Sequence, residues 1–214
     1  MARYRHIIWD WNGTLLDDVD LCIDVINAML RGRNLAEVDC SRYREIFDFP
    51  VIGYYRALGF DFDAESFEDL AHLYCDAYDN RVSECSLHAD VATVLDRLSQ
   101  SGSTQSILSS CEQAALHDAI NRFGLAQQFA AVVGQSDRYA VGKEAAGRAL
   151  LAGSQIPASQ TLLIGDTLHD HEVARVLGID CILVANGHHS RQRLEVVGDP
   201  VVDTLEQVIA HAIG

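Results

Sequence analysis

A carboxylate closes the first apolar run of this chain. Residues 6–18 read HIIWDWNGTLLDD, so Ile7, Ile8 and Trp9 lead straight into Asp10, and the chain then turns at Asn12-Gly13. Similar endings recur further on. The run STQSILSS (103–110) closes on Ser109 and Ser110, and TLLIGD (161–166) runs into GDTLHD, which carries Asp166 and Asp170. Lys143 follows Gly142 at the start of a helical stretch, and it is unusual: the chain has sixteen basic residues, and all but Lys143 are arginine. Together these residues supply three carboxylates, hydroxyls and one ammonium. Carboxylates from separate strands, with positions left for water and phosphate oxygens, suit Mg2+. An ammonium and a hydroxyl suit the remaining phosphate oxygens. Asp10 could then attack phosphorus through its other oxygen, forming an aspartyl phosphate that water hydrolyses. The cation and Lys143 would neutralise charge on the phosphoryl group in transit. Taken singly, each residue has an ordinary reading: an Asp at a strand end is also a turn or cap residue.

The elements that must position these residues are short. Apolar runs at 4–10, 103–110, 129–137, 161–166 and 181–186 predict buried strands, with a sixth at 200–203. Helical patterns at 111–123, 143–152 and 169–177 stop at Gly124, Gly153 and Gly178, where a left-handed residue is the usual terminator. Strands alternating with helices of this length predict βαβ units and a parallel sheet, whose carboxyl-end loops meet in one crevice. Residues 17–84 differ. Val19, Ile23, Ile26 and Leu30 fall at helical spacing, Ser41 opens another helix, Pro50 suits a first helical turn, and Phe67, Leu70, Ala71, Tyr74 and Tyr78 form a further stripe. The stretch 88–100 reads as a helix leading back to the sheet. The expected architecture is an α/β core, 1–16 and 85–214, with an all-helical insertion at 17–84; the alternative is one helical layer of a single domain.

Composition sets the class. The chain has 214 residues, 49% hydrophobic and 22% charged, as expected of a soluble globular protein. No apolar run reaches the length of a membrane span, and the first residues lack the apolar stretch of a signal peptide, which points to the cytoplasm. The net charge of −15 argues against nucleic acid and anionic membranes as partners; it also repels an anionic substrate, so the small phosphorylated metabolite expected as partner would have to be drawn in by a local cation. The six cysteines are scattered and show no C-x-x-C pair, so reduced, buried thiols are the expectation.

With these residues in order, the chain resembles the haloacid dehalogenase superfamily of phosphohydrolases. DWNGTLLD is similar to the nucleophile motif, usually D-x-D-G-T; ILSS to the strand ending in Ser or Thr; GK at 142–143 to the lysine motif; and GDTLHD to the acidic motif. The insertion matches the helical cap of the first cap class in place and size. The resemblance implies a Rossmann-like core and a set of roles. Asp10 is the nucleophile and a Mg2+ ligand, the Asn12 carbonyl and Asp166 are further ligands, and Asp170 orients the metal site. Ser109, with Ser110 and Gly13, binds the phosphoryl group, and Lys143 ties Asp10 to its oxygens. Lys and Arg are not interchangeable at such a site.

Asn12 departs from the family pattern. The usual residue is a second Asp, which protonates the leaving oxygen and then activates water. An amide keeps its backbone carbonyl but cannot move a proton, a loss of about 10²–10⁴-fold if nothing replaces it. Three readings follow: substrates with good leaving groups; a substitute among His169, His171, His188 and His189; or a binding protein with residual activity.

The cap segment SRYREIFDFPVIGYYRALGF (41–60) carries Arg44 and Arg56 among tyrosines and loosely resembles phosphoglycolate phosphatase-like members. One of these arginines would meet a substrate carboxylate; alternatively they are surface residues. A phosphonate hydrolase needs a lysine in the cap, and this chain has none there. A dehalogenase needs no metal, and a phosphomutase needs an acid at position 12. The expected activity is therefore a Mg2+-dependent phosphatase acting on a phosphoglycolate-like monoester, with a pseudo-phosphatase as the alternative.

Overall fold

The fold is taken from a computed structural model, which describes residues 3–136 and 143–213. Gly142 of the lysine motif and Asp137 at the end of the third apolar run lie outside these residues. In chain order the elements are β1 (His6–Trp9), β2 (Leu16–Asp17), α1 (Val19–Arg31), α2 (Cys40–Ile46), α3 (Val51–Ala57) and α4 (Phe67–Asp79). The chain continues through β3 (Ser86–Leu87), α5 (Val91–Gln100), β4 (Thr104–Glu112), α6 (Gln113–Arg122), β5 (Ala131–Gln135) and α7 (Glu144–Ser154). It ends with β6 (Thr161–Gly165), α8 (Leu168–Leu177), β7 (Asp180–Val184), α9 (Arg191–Leu194), β8 (Val201–Val202) and α10 (Leu205–Ile213).

Six strands form one parallel sheet in the order β5-β4-β1-β6-β7-β8. The first strand in sequence thus sits inside the sheet, with Ile8 level with Ser106 of β4 and Leu163 of β6. Strand side chains alternate between faces. Ile7 and Trp9 pack on one face with Val94, Leu98 and Val208, while Ile8 packs on the other with Leu163, Val173 and Leu177. Both faces are covered by helices, which is why β1 is apolar without alternation. The chain leaves β1 for one neighbour and later returns on its other side, so the crevice for a ligand opens at the carboxyl ends of β1, β4 and β6.

Helices α1–α4 build a core of their own from Val19, Ile26, Leu30, Tyr43, Tyr54, Tyr55 and Leu70, distinct from the clusters on the sheet. The expected α/β core with a helical insertion is present. No helix among the described residues is long and apolar enough to cross a membrane. Two local expectations are corrected, and one short pairing is new. Helix α7 runs past Gly153, and Gln155 takes the left-handed position at φ 56° instead; Gly153 is an exposed helical residue, a position that tolerates glycine at modest cost. Helix α2 begins before Ser41, because the Asp39 carboxylate accepts the Arg42 N–H at 2.7 Å and caps it. Strands β2 and β3 pair antiparallel where the chain leaves and re-enters the core; two residues are too few to show a period in sequence.

Candidate active site

Asp10 follows directly on β1, and its N–H continues the ladder by donating to Ile164 O at 2.9 Å. The ladder fixes the backbone while the carboxylate projects past the sheet. Lys143 caps the start of α7, and its Nζ reaches Asp10 Oδ1 at 2.5 Å, Asp170 Oδ1 at 2.7 Å and Leu108 O at 3.3 Å. Asp170 is the third residue of α8 and closes a reciprocal cap with Thr167, accepting from Thr167 N at 3.0 Å and Oγ1 at 2.7 Å. The cap thereby aims the second Asp170 oxygen at Lys143. Asp166 ends β6; its oxygens accept from Thr14 Oγ1 at 2.8 Å and from the His188 N–H at 2.6 Å. Gly13, at φ +74°, lets the turn pass against this carboxylate: a side chain there would sit 2.8 Å from Asp166 Cγ.

Asp10, Asp166 and Asp170 each offer an oxygen within 4.8 Å of the others, and all three are buried. Such a group of like charges disfavours its own ionisation. Burial pushes the Asp10 carboxyl up to about 7, against the pull of Lys143, and the Asp170 and Asp166 charges add to the rise. Burial also raises Asp166. Asp170 moves the other way: burial opposes its charge, but Lys143 and Thr167 hold it below the usual carboxylate range. Lys143, though buried, is held above its ordinary value by Asp10 and Asp170. Three buried carboxylates facing a single ammonium form a donor set that suits a hard divalent cation.

Ser109 and Ser110 end on the same crevice. Ser109 Oγ accepts from Cys111 N at 3.1 Å, while Ser110 Oγ is buried without a hydrogen-bond partner among the described residues. Asn12 also lines it, but its amide is committed: Nδ2 donates to Asp18 Oδ2 and Tyr78 Oη, each at 2.8 Å. The Gly13 N–H donates to Leu16 O and Asp18 Oδ1, both at 2.9 Å. The two cap arginines have their partners outside the crevice. Arg44 donates to Gly187 O at 2.9 Å and Asn186 O at 3.2 Å, strapping the cap to the core, and Arg56 lies over the Phe62 ring at 5.4 Å. Neither lines the crevice.

Two residues carry more of the site than their sequence context suggested. Asp18 precedes α1 where a cap belongs, yet makes no capping bond to it; its oxygens serve Asn12, Gly13 and Tyr78. His188 Nε2 lies 3.4 Å from Asp18 Oδ1, and its Nδ1 pairs with Tyr43 Oη at 2.9 Å. Burial disfavours the imidazolium, but Asp18, Asp166 and Asp10 hold the His188 pKa up to about 9. Among the other histidines, His171 pairs with Asp199 at 2.6 Å and His189 Nδ1 accepts from Leu168 N at 3.1 Å. His169 lines the crevice stacked on Phe49.

A family profile described as haloacid dehalogenase-like hydrolase matches residues 7–184. The chain belongs to this family. It is 27% identical over 199 residues to a 5'-nucleotidase of Pseudomonas aeruginosa, covering 90% of this chain and 87% of that one. It is 26% identical over 215 residues to a phosphoglycolate phosphatase of Pseudomonas fluorescens, covering 96% and 78%. The fold matches a haloacid dehalogenase-like hydrolase from Streptococcus pneumoniae with a TM-score of 0.84 at 20% identity over 98% of both chains. In class, the protein is a phosphatase of the haloacid dehalogenase family.

Proposed function

We propose that this haloacid dehalogenase-family protein hydrolyses a small phosphomonoester through a phosphorylated Asp10. The observation that carries the reading is Lys143 Nζ held between Asp10 Oδ1 and Asp170 Oδ1 at the mouth of β1. Asp10 attacks phosphorus through Oδ2, the oxygen not held by Lys143, the bond from phosphorus to the alcohol oxygen breaks, and the alcohol leaves with a proton taken from water. Water then cleaves the acyl phosphate, releasing inorganic phosphate and restoring the carboxylate. Lys143 holds Asp10 in place and meets the phosphoryl oxygens, while Ser109 and Ser110 offer hydroxyls to the same group. Asp10, Asp166, Asp170 and the Asn12 carbonyl would hold Mg2+, which supplies charge neutralisation for the phosphoryl group. Residues 17–84 serve as the cap over this crevice. The substrate is a metabolite of the cytoplasm, and neither nucleic acid nor a membrane is a partner. The relatives' names span a nucleotidase and a phosphoglycolate phosphatase, so a phosphoglycolate-like ester has support from them, though not from Arg44 or Arg56.

Asn12 favours a second reading, a phosphate-binding protein with little turnover, because its amide is fixed between Asp18 and Tyr78 and carries no transferable acid. Mg2+-dependent phosphate release decides between the two. Turnover by wild type and its loss by about 10⁴-fold in Asp10→Asn supports the enzyme. Equal rates for the two proteins support the binding reading.

A further inference from the structure

The part of the crevice beyond the phosphoryl site is walled by the cap, and its chemistry differs from that of the floor. The whole crevice, phosphoryl end included, encloses about 210 Å³, and on this side it is lined by Tyr43, Phe47, Tyr54, Tyr55, Tyr74 and Tyr78. Two of the tyrosine hydroxyls are tied elsewhere: Tyr43 Oη meets His188 Nδ1 at 2.9 Å, and Tyr78 Oη donates to Asp18 Oδ2 at 2.7 Å. The rings brace one another, Tyr43 edge-on to Tyr54 at 5.8 Å and Tyr54 edge-on to Tyr55 at 6.0 Å. A cavity of about 150 Å³ walled by apolar side chains already accepts a benzene ring, and braced rings offer faces and edges for stacking.

Charge points the same way. Among the described residues only Lys143, His169 and His188 bring a basic group to the wall, and each faces an acid. Lys143 is held by Asp10 and Asp170, His188 lies 3.4 Å from Asp18, and His169 Nδ1 lies 3.6 Å from Glu172. A second anionic group on the substrate would lose its hydration and, among the described residues, meet no uncommitted cation, a costly burial. A neutral ring would bury apolar surface against apolar surface.

We propose that the preferred substrates carry, beyond the phosphoryl group, an uncharged apolar moiety the size of a single ring, and that a carboxylate in its place is selected against. The proposal rests on the phosphatase reading for turnover, but binding tests it separately. With Mg2+ and wild-type protein, benzyl phosphate is expected to exceed 2-phosphoglycolate in kcat/KM by about tenfold or more; both have alkyl leaving groups, so the difference reports the cavity. In calorimetry the non-hydrolysable benzylphosphonate is expected to bind about tenfold or more tighter than phosphonoacetate. Val51→Arg, which sets a cation on the lining, is expected to move that ratio toward phosphonoacetate. Equal or tighter binding of phosphonoacetate by wild type, or no binding of either phosphonate, overturns the proposal. Tighter benzylphosphonate binding with no ester turned over above the Asp10→Asn background supports it and sinks the phosphatase reading alone.

Discussion

The two walls of the crevice solve opposite problems. The core wall gathers Asp10, Asp166, Asp170 and Lys143, buried charges that tolerate one another through the Lys143 contacts, the Thr14 and Thr167 bonds and the His188 N–H. The cap wall gathers tyrosines and phenylalanines whose rings pack on one another. Fixed charge in a dry site favours chemistry at phosphorus, whereas an apolar wall discriminates by shape and by the exclusion of charge. The same chain therefore separates reaction from selection along a line between the strand ends and α2–α4. Contacts that cross that line include Tyr78 with Asp18, Tyr43 with His188 and Arg44 with Gly187.

The largest effect is expected on the core side. Lys143→Met removes the one ammonium and leaves Asp10 and Asp170 facing each other, so unfolding free energy measured in urea should fall by about 3–5 kcal/mol. Added Mg2+ should restore part of this, because the cation meets the same oxygens. A smaller stability loss than Tyr78→Phe causes would erase the contrast between the walls. Asn12→Asp comes next. It replaces the Nδ2 donor 2.8 Å from Asp18 Oδ2 with a second carboxyl, and two carboxyls that close share a proton. Phosphate release should rise by about 10²-fold in steady-state assays. A rate unchanged by this substitution would show that another group already moves the proton.

Tyr78→Phe probes the line itself. Loss of the hydroxyl that serves both Asn12 and Asp18 should cost about 1 kcal/mol of stability, read in the same denaturation assay. KM should shift less than it does for a change among the cap rings. The smallest effect lies away from both walls. His6 is buried in β1 with Nε2 3.0 Å from Ser106 Oγ, and burial lowers its pKa from 6.5. The unfolded chain then binds the proton more readily than the folded one, so the His6 contribution is intact above pH 6.5 and is lost as pH falls below it. Urea midpoints compared at pH 8 and pH 5.5 should fall at the lower pH more for wild type than for His6→Gln.

Most of the core was readable because the same residues serve packing and chemistry. An apolar run that ends on Asp10, Ser109 or Asp166 marks a strand and its mouth at once, and the strand order then delivers those residues to one place. The lone lysine was legible by its singularity. Less was legible where a residue type has two equally common uses. Asp18 stands where a helix cap belongs, and only the fold shows its carboxylate turned away from α1 toward Asn12. Arg44 stands among tyrosines as a ligand-binding residue would, yet its donors go to the carbonyls of Asn186 and Gly187. His188 sits in a Gly-His-His-Ser loop that reads as solvated, but the Asp166 oxygen draws its N–H into the interior. For Arg44 and His188 the partner lies far along the chain, out of reach of any local pattern; for Asp18 it is only six residues back, but the turn at Gly13 that brings them together shows only in the fold.

The near-absence of lysine also makes the chain a ready-made reporter. Its single ε-amine is 2% exposed and clasped by two acids, so an acylating or reductively alkylating reagent finds no lysine on the outer surface. Any adduct on that nitrogen would record an excursion of the protein in which the crevice stood open, and the adduct's rate of appearance would time it.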